Sequence, residues 1–175
     1  MLVWVWYGHY RFFRRYGLQD AYTILLNSVL LFVIIYYIYP LEFLFTVFTD
    51  SIFLHMNSRQ VIQEQQQPEL MMIYGVGFVA VYTIFLLLYF HAYRKREELD
   101  LNEVEVLMTK AAMLSFLLVM GIGLTAVLMA ALGGVKYVNW SGWIYASIFP
   151  VLFISGHIAN RRKRALQKKR VTRSE

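Results

Sequence analysis

Residues 22–48 read YTILLNSVLLFVIIYYIYPLEFLFTVF, an apolar run without a single Lys or Arg. A helix rises about 1.5 Å per residue, so roughly 20 such residues cross about 30 Å of hydrocarbon. This stretch is long enough to span a bilayer, and the rest of the chain repeats it. Residues 71–93, 111–132 and 140–159 are also apolar and free of Lys and Arg. The chain has 175 residues, of which 59% are hydrophobic and 16% charged, which is membrane-protein composition. The expected fold is all-α, a polytopic integral membrane protein with four transmembrane helices. The opening MLVWVWYG is apolar but too short to cross, and it lacks the basic start and small-residue end of a signal peptide. It reads as a short stub, the end of a helix whose beginning is missing.

Charge sets the topology. Arg11, Arg14 and Arg15 precede the first span; Arg94, Lys95, Arg96 and Lys110 follow the second; eight basic residues from Arg161 to Arg173 follow the fourth. Of the 17 basic residues, only Arg59 and Lys136 fall on the opposite side of a four-span arrangement. The bias predicts a multi-pass protein of the cell membrane with both termini in the cytoplasm. Residues 1–160 then form the membrane domain and 161–175 a basic cytoplasmic tail. That tail directly follows a span and carries no aromatic side chains for stacking on bases. Lys168, Lys169, Arg170 and Arg173 are therefore expected to bind anionic lipid, and no nucleic-acid partner is expected.

Chemistry by catalysis is not signalled. Without cysteine there is no disulfide, thiol nucleophile or thiolate metal site. Glu97, Glu98, Asp100, Glu103 and Glu105 in the link after the second span are spaced as a solvated surface, with no His among them to complete a metal site. Phosphate loops, HExxH and GxSxG are absent, so neither an enzyme nor a cofactor is expected. In the third span Gly121, Gly123, Thr125 and Ala126 form a small-residue face on which another helix could pack closely. Glu42, beyond Pro40, sits near the far headgroups, and His157 lies three residues from the cytoplasmic interface. If the chain conducts ions by itself, Asn27, Tyr36, Glu42, Thr125 and His157 are the candidates for the ion path.

The phrase WYGHYRFFRRYGLQDAYTILLNSVLLFVIIYYIYP carries more. Trp6, Gly8, His9, Tyr10, Phe12, Phe13, Arg14 and Arg15, then Asp20, Leu25, Leu26, Asn27, Leu30, Leu31, Phe32 and Pro40, make it resemble the bacterial branch of the transmembrane protein 175 potassium-channel family. The resemblance continues more weakly to the basic tail. It implies a six-helix subunit that assembles around a central pore, prefers potassium, and is constricted by hydrophobic side chains of its first helix. In that family an Arg followed by three residues and then Phe-Ser-Asp opens the first helix. Phe48, Thr49, Asp50 and Phe53 echo this signature, but Leu44 stands where the Arg belongs and no span follows. FTDSIF is accordingly expected at the outer end of the first remaining span. The expectation is a partial channel subunit, lacking the first helix and most of the second, that needs missing or partner-supplied pore helices to conduct potassium as a homo-oligomer or with partner subunits. The alternative is a noncatalytic membrane scaffold or accessory subunit.

Overall fold

The computed structural model describes residues 2–53 and 67–174, with the side chains of 2, 4, 39–53, 67–71, 133–143 and 167–174 outside the description. Five helices follow in order: α1 Leu2–Tyr16, α2 Ala21–Phe53, α3 Gln67–Arg94, α4 Glu103–Ala146 and α5 Ile148–Ser174. No strand occurs among the described residues. Segments Ala21–Ile38, Met72–Arg94 and Glu103–Leu132 are long and apolar enough to cross a membrane. The chain is thus an all-helical membrane protein.

Local chemistry explains the ends of the helices. Gly17 takes a left-handed φ of 58° and its N–H donates to Phe13 O at 3.0 Å, which closes α1. Asp20 stands just before α2: its carbonyl accepts from Ile24 N–H at 3.0 Å, and its carboxylate accepts from the Thr23 hydroxyl. At the start of α4, Asn102 Oδ1 accepts from Val104 and Glu105 N–H, both at 3.0 Å, while Glu105 reaches back to Asn102 N–H at 2.9 Å. This reciprocal pair satisfies three otherwise orphaned donors. Pro150 falls in the first turn of α5, where its missing N–H costs no helical hydrogen bond.

Two boundaries differ from the sequence expectation. The apolar stub is only the first half of α1, which continues through Arg11, Arg14 and Arg15 to Tyr16. Phe12 and Tyr16 bury on the same stripe as Val5 and hold the charged half helical. A link was expected at 133–139, yet helical bonding runs from Glu103 to Ala146 and the break comes at Ser147. Even so, α4 is not straight. A straight helix would separate residues 127 and 145 by about 27 Å. Instead, a Cβ placed on Gly75 would lie 3.2 Å from the Tyr145 hydroxyl and 3.5 Å from Val127 Cβ. Helix α4 therefore bends sharply between these positions, an interval that contains Gly133 and Gly134.

Helix α3 is the centre. Its residues Val81, Ile84, Phe85, Leu88, Tyr89 and Ala92 repeat at helical spacing and are all buried. Against them pack Phe12 of α1 and Leu30 of α2, both with no exposure, and α4 covers the remaining side. Outward faces stay apolar: Trp6, Phe32, Phe149 and Phe153 are exposed, as lipid-facing side chains can be.

Candidate functional site

Polar groups of the bundle gather where the start of α2 meets α1 and the Arg94 end of α3. His9 Nε2 donates to Asn27 Oδ1 at 2.6 Å, joining α1 to α2. Seven residues before Asn27, Asp20 pairs with His91 Nε2 of α3 at 2.6 Å and lies 3.8 Å from Lys95 Nζ. The Thr23 hydroxyl bond, more than His91 and Lys95, holds the Asp20 carboxyl below its ordinary value, while partial burial opposes the shift. Lys95 in turn reaches Glu98 at 3.1 Å, and this bond is the main reason its ammonium holds its proton more firmly than usual. Tyr16 closes the fourth side. Because Thr109 donates its hydroxyl proton to Glu105 O at 2.7 Å, Tyr16 Oη is the donor in the 2.7 Å bond to Thr109 Oγ1. Both side chains are buried, so each bond replaces one that water cannot supply.

This junction ties helices together. Among the described residues no group of three His, Cys, Asp or Glu could hold a metal ion. His91 and Thr109 were not singled out in the sequence, since their partners lie 71 and 93 positions away. The only local signal for His91 was its place one turn before Lys95.

The expected ion-path residues are scattered. Asn27 is half-buried against His9, Tyr36 is 70% exposed, and Thr125 and His157 are exposed. His157 stacks on Phe153 at 6.3 Å, and Thr125 donates to Gly121 O at 2.8 Å. No hydrogen bond or ring contact joins these four to one another among the described residues. The Glu42 side chain lies outside the described residues, as do those of Lys168, Lys169, Arg170 and Arg173, although the α2 and α5 backbones are helical there. FTDSIF is likewise helical backbone, the last turns of α2.

The expected packing face divides. Gly123 and Ala126 are buried, and a Cβ on Gly123 would come within 2.8 Å of Phe78 on α3. Gly121 and Thr125 are exposed, with nothing within 4 Å of a Cβ at Gly121. Closer approaches occur on α3, where a Cβ on Gly77 would overlap the Tyr37 ring of α2. Tyr37 is itself fixed, donating from its hydroxyl to Tyr74 O at 3.1 Å.

No family model matches the sequence. A potassium channel of Marivirga tractuosa is 35% identical over 176 residues, spanning 95% of this chain and 71% of that protein. The crystal structure of a variant of the potassium channel MtTMEM175, bound to a Nanobody-MBP fusion protein, superposes with a TM-score of 0.78 at 34% identity. That match covers 91% of this chain and 73% of the solved one. Both relatives are described as channels and neither as an enzyme. Agreement in sequence and in helix arrangement over nearly the whole chain shows that the protein belongs to the bacterial branch of the transmembrane protein 175 potassium-channel family.

Proposed function

We propose that these helices form the supporting part of a potassium-channel subunit, and that potassium conduction needs additional pore helices from an adjoining segment or a partner subunit. The observation that carries this reading is the match to a potassium channel at a TM-score of 0.78. The dispersal of Asn27, Tyr36, Thr125 and His157 over separate surfaces supports the requirement for further helices. A wall for an ion needs converging carbonyls, hydroxyls or carboxylates, because helical backbone groups are already bonded within their helices. Exposed apolar faces on α1 and α2 suit assembly with other helices in an oligomer. The subunit sits in the cell membrane with both termini cytoplasmic, and its basic tail rests on anionic lipid.

The test is potassium flux in liposomes. The 175-residue chain alone should carry little selective current, and joining it to two helices that bear the Arg-x-x-x-Phe-Ser-Asp signature should restore current. Oligomer size, measured on the same samples, separates a silent folded protein from an unfolded one. Robust potassium-selective current from the chain alone would refute the requirement for added helices. Persistent silence with those helices attached would favour the scaffold reading.

A further inference from the structure

A cavity of about 240 Å³ lies between α1, α3, α4 and α5. Val5, Phe85, Phe116 and Leu152 give it apolar lining, and Arg11 lines it about 9 Å along α1 from Val5. Helix α1 rests on α3, and α5 packs on α4, so the space lies where α1 and α5 do not close on each other. From Met108 to Ser115, both in the lining, the α4 wall rises about 10 Å. The volume is below the roughly 300–1,000 Å³ of small-molecule pockets, which suits a slender chain better than a compact ligand.

Charge identifies the ligand. Arg11 is exposed, its guanidinium 5.7 Å from the centre of the Tyr7 ring, and no carboxylate pairs with it among the described residues. On α5 the lining positions Leu152, Ser155, Gly156 and Ala159 repeat at helical spacing. The next position on that stripe is Lys163, which is half-buried among exposed neighbours Arg161, Arg162 and Arg164. Glu105, one turn before Met108, is occupied by the Asn102 N–H. Arg11 thus lines the apolar slot itself, and Lys163 follows one turn beyond its α5 wall. Part-way along, Ser115 Oγ and Ser155 Oγ lie 3.1 Å apart and share two hydroxyl protons among each other and the carbonyls of Ala111 and Leu152. Their own needs are met without a polar ligand.

We infer that this cavity binds an anionic phospholipid, with part of one acyl chain between α1 and α5 and its phosphate against Arg11 and Lys163. The site is separate from the tail and independent of the conduction proposal.

Gly156 offers a way to fill it, because a Cβ there meets nothing within 4 Å. Native mass spectrometry of the detergent-solubilised full chain should retain dioleoylphosphatidylglycerol in preference to dioleoylphosphatidylcholine. Gly156→Leu should abolish that retention. Arg11→Gln should weaken it about fivefold, the change that corresponds to about 1 kcal/mol for one surface cation. Replacing Lys168, Lys169, Arg170 and Arg173 together with Gln should leave it in place. A phosphatidylglycerol with a photoactivatable acyl chain, added to the unmodified protein, should label peptides containing residues 5–11 or 152–159, which keeps the test valid if Gly156→Leu fails to fold. Equal retention of the two lipids, full retention by folded Gly156→Leu, thermal stabilisation by inorganic phosphate equal to that by phosphatidylglycerol, or labelling confined to other peptides would each overturn the inference. So would a second copy of the chain cross-linking through this gap in place of lipid.

Discussion

Replacing Gly77 with Ala should loosen α2 from α3, even though alanine is the better helix former. The added methyl overlaps the edge of the Tyr37 ring. That ring cannot slide aside freely, because it is 5% exposed, bonded to Tyr74 O, and edge-on to the Tyr74 ring at 6.3 Å. Overpacking of this kind costs about 1–3 kcal/mol. Losing the Tyr37 hydrogen bond adds about 0.5–1.5 kcal/mol. Against these stands a gain of about 1 kcal/mol in helix propensity, which leaves a net loss of about 0.5–3.5 kcal/mol. Gly121→Ala is the matched control: with open space around it, only the propensity gain of up to about 1 kcal/mol remains. Unfolding by SDS in mixed micelles, followed by circular dichroism, should rank Gly121→Ala above the unmodified protein and Gly77→Ala below it. In a Tyr37→Ala background the effect of Gly77→Ala should change sign. A Gly77→Ala protein as stable as the parent would refute the reasoning.

Asp20→Asn should destabilise the fold at neutral pH. Since the folded carboxyl titrates below its ordinary 3.8, its contribution is fully present above that value and is lost as pH falls below it. The gap between the two proteins should therefore close in acid unfolding titrations, and a gap that persisted well below pH 3.8 would exclude the ionised carboxylate as its source. Tyr16→Phe removes the donor to Thr109 and should cost about 1 kcal/mol, and a double-mutant cycle with Thr109→Val should return a coupling above zero. Reporters fused after Arg96 and Arg173 should be cytoplasmic, with labels at Ser58 and Val135 reachable from outside; outside access to the 94–110 link would reject the arrangement.

Helix content was legible because it needs only a count of apolar residues uninterrupted by Lys or Arg. The length of α1 was hidden, since RFFRRY looks like a loop until α3 and α4 supply burial for Phe12 and Tyr16. The gap at 133–139 was read from the ends of two apolar runs, whereas helix α4 continues to Ala146 and closes where Ser147 N–H bonds Ile144 O at 3.0 Å. The family resemblance rested on contiguous residues and could be read directly. What escaped was azimuth: Gly121 and Gly123 sit two positions apart, yet one faces outward and the other faces Phe78. Pairs such as Asp20 with His91 depend on how helices cross, and spacing along the chain does not encode that.

The placement of α1 also has a bearing on synthesis. Its polar link to α2 joins residues only 18 positions apart, but Phe12 rests on Tyr89 and Tyr16 bonds to Thr109. A chain made from its amino end therefore presents the inner face of α1 to lipid or to the insertion machinery until some hundred residues have been added. Only when α3 and then the start of α4 arrive can that face be covered. Nascent chains arrested before residue 89 should leave Phe12 and Tyr16 without their partners on α3 and α4, and those long enough for residue 109 to have left the ribosome should protect α1 from proteases.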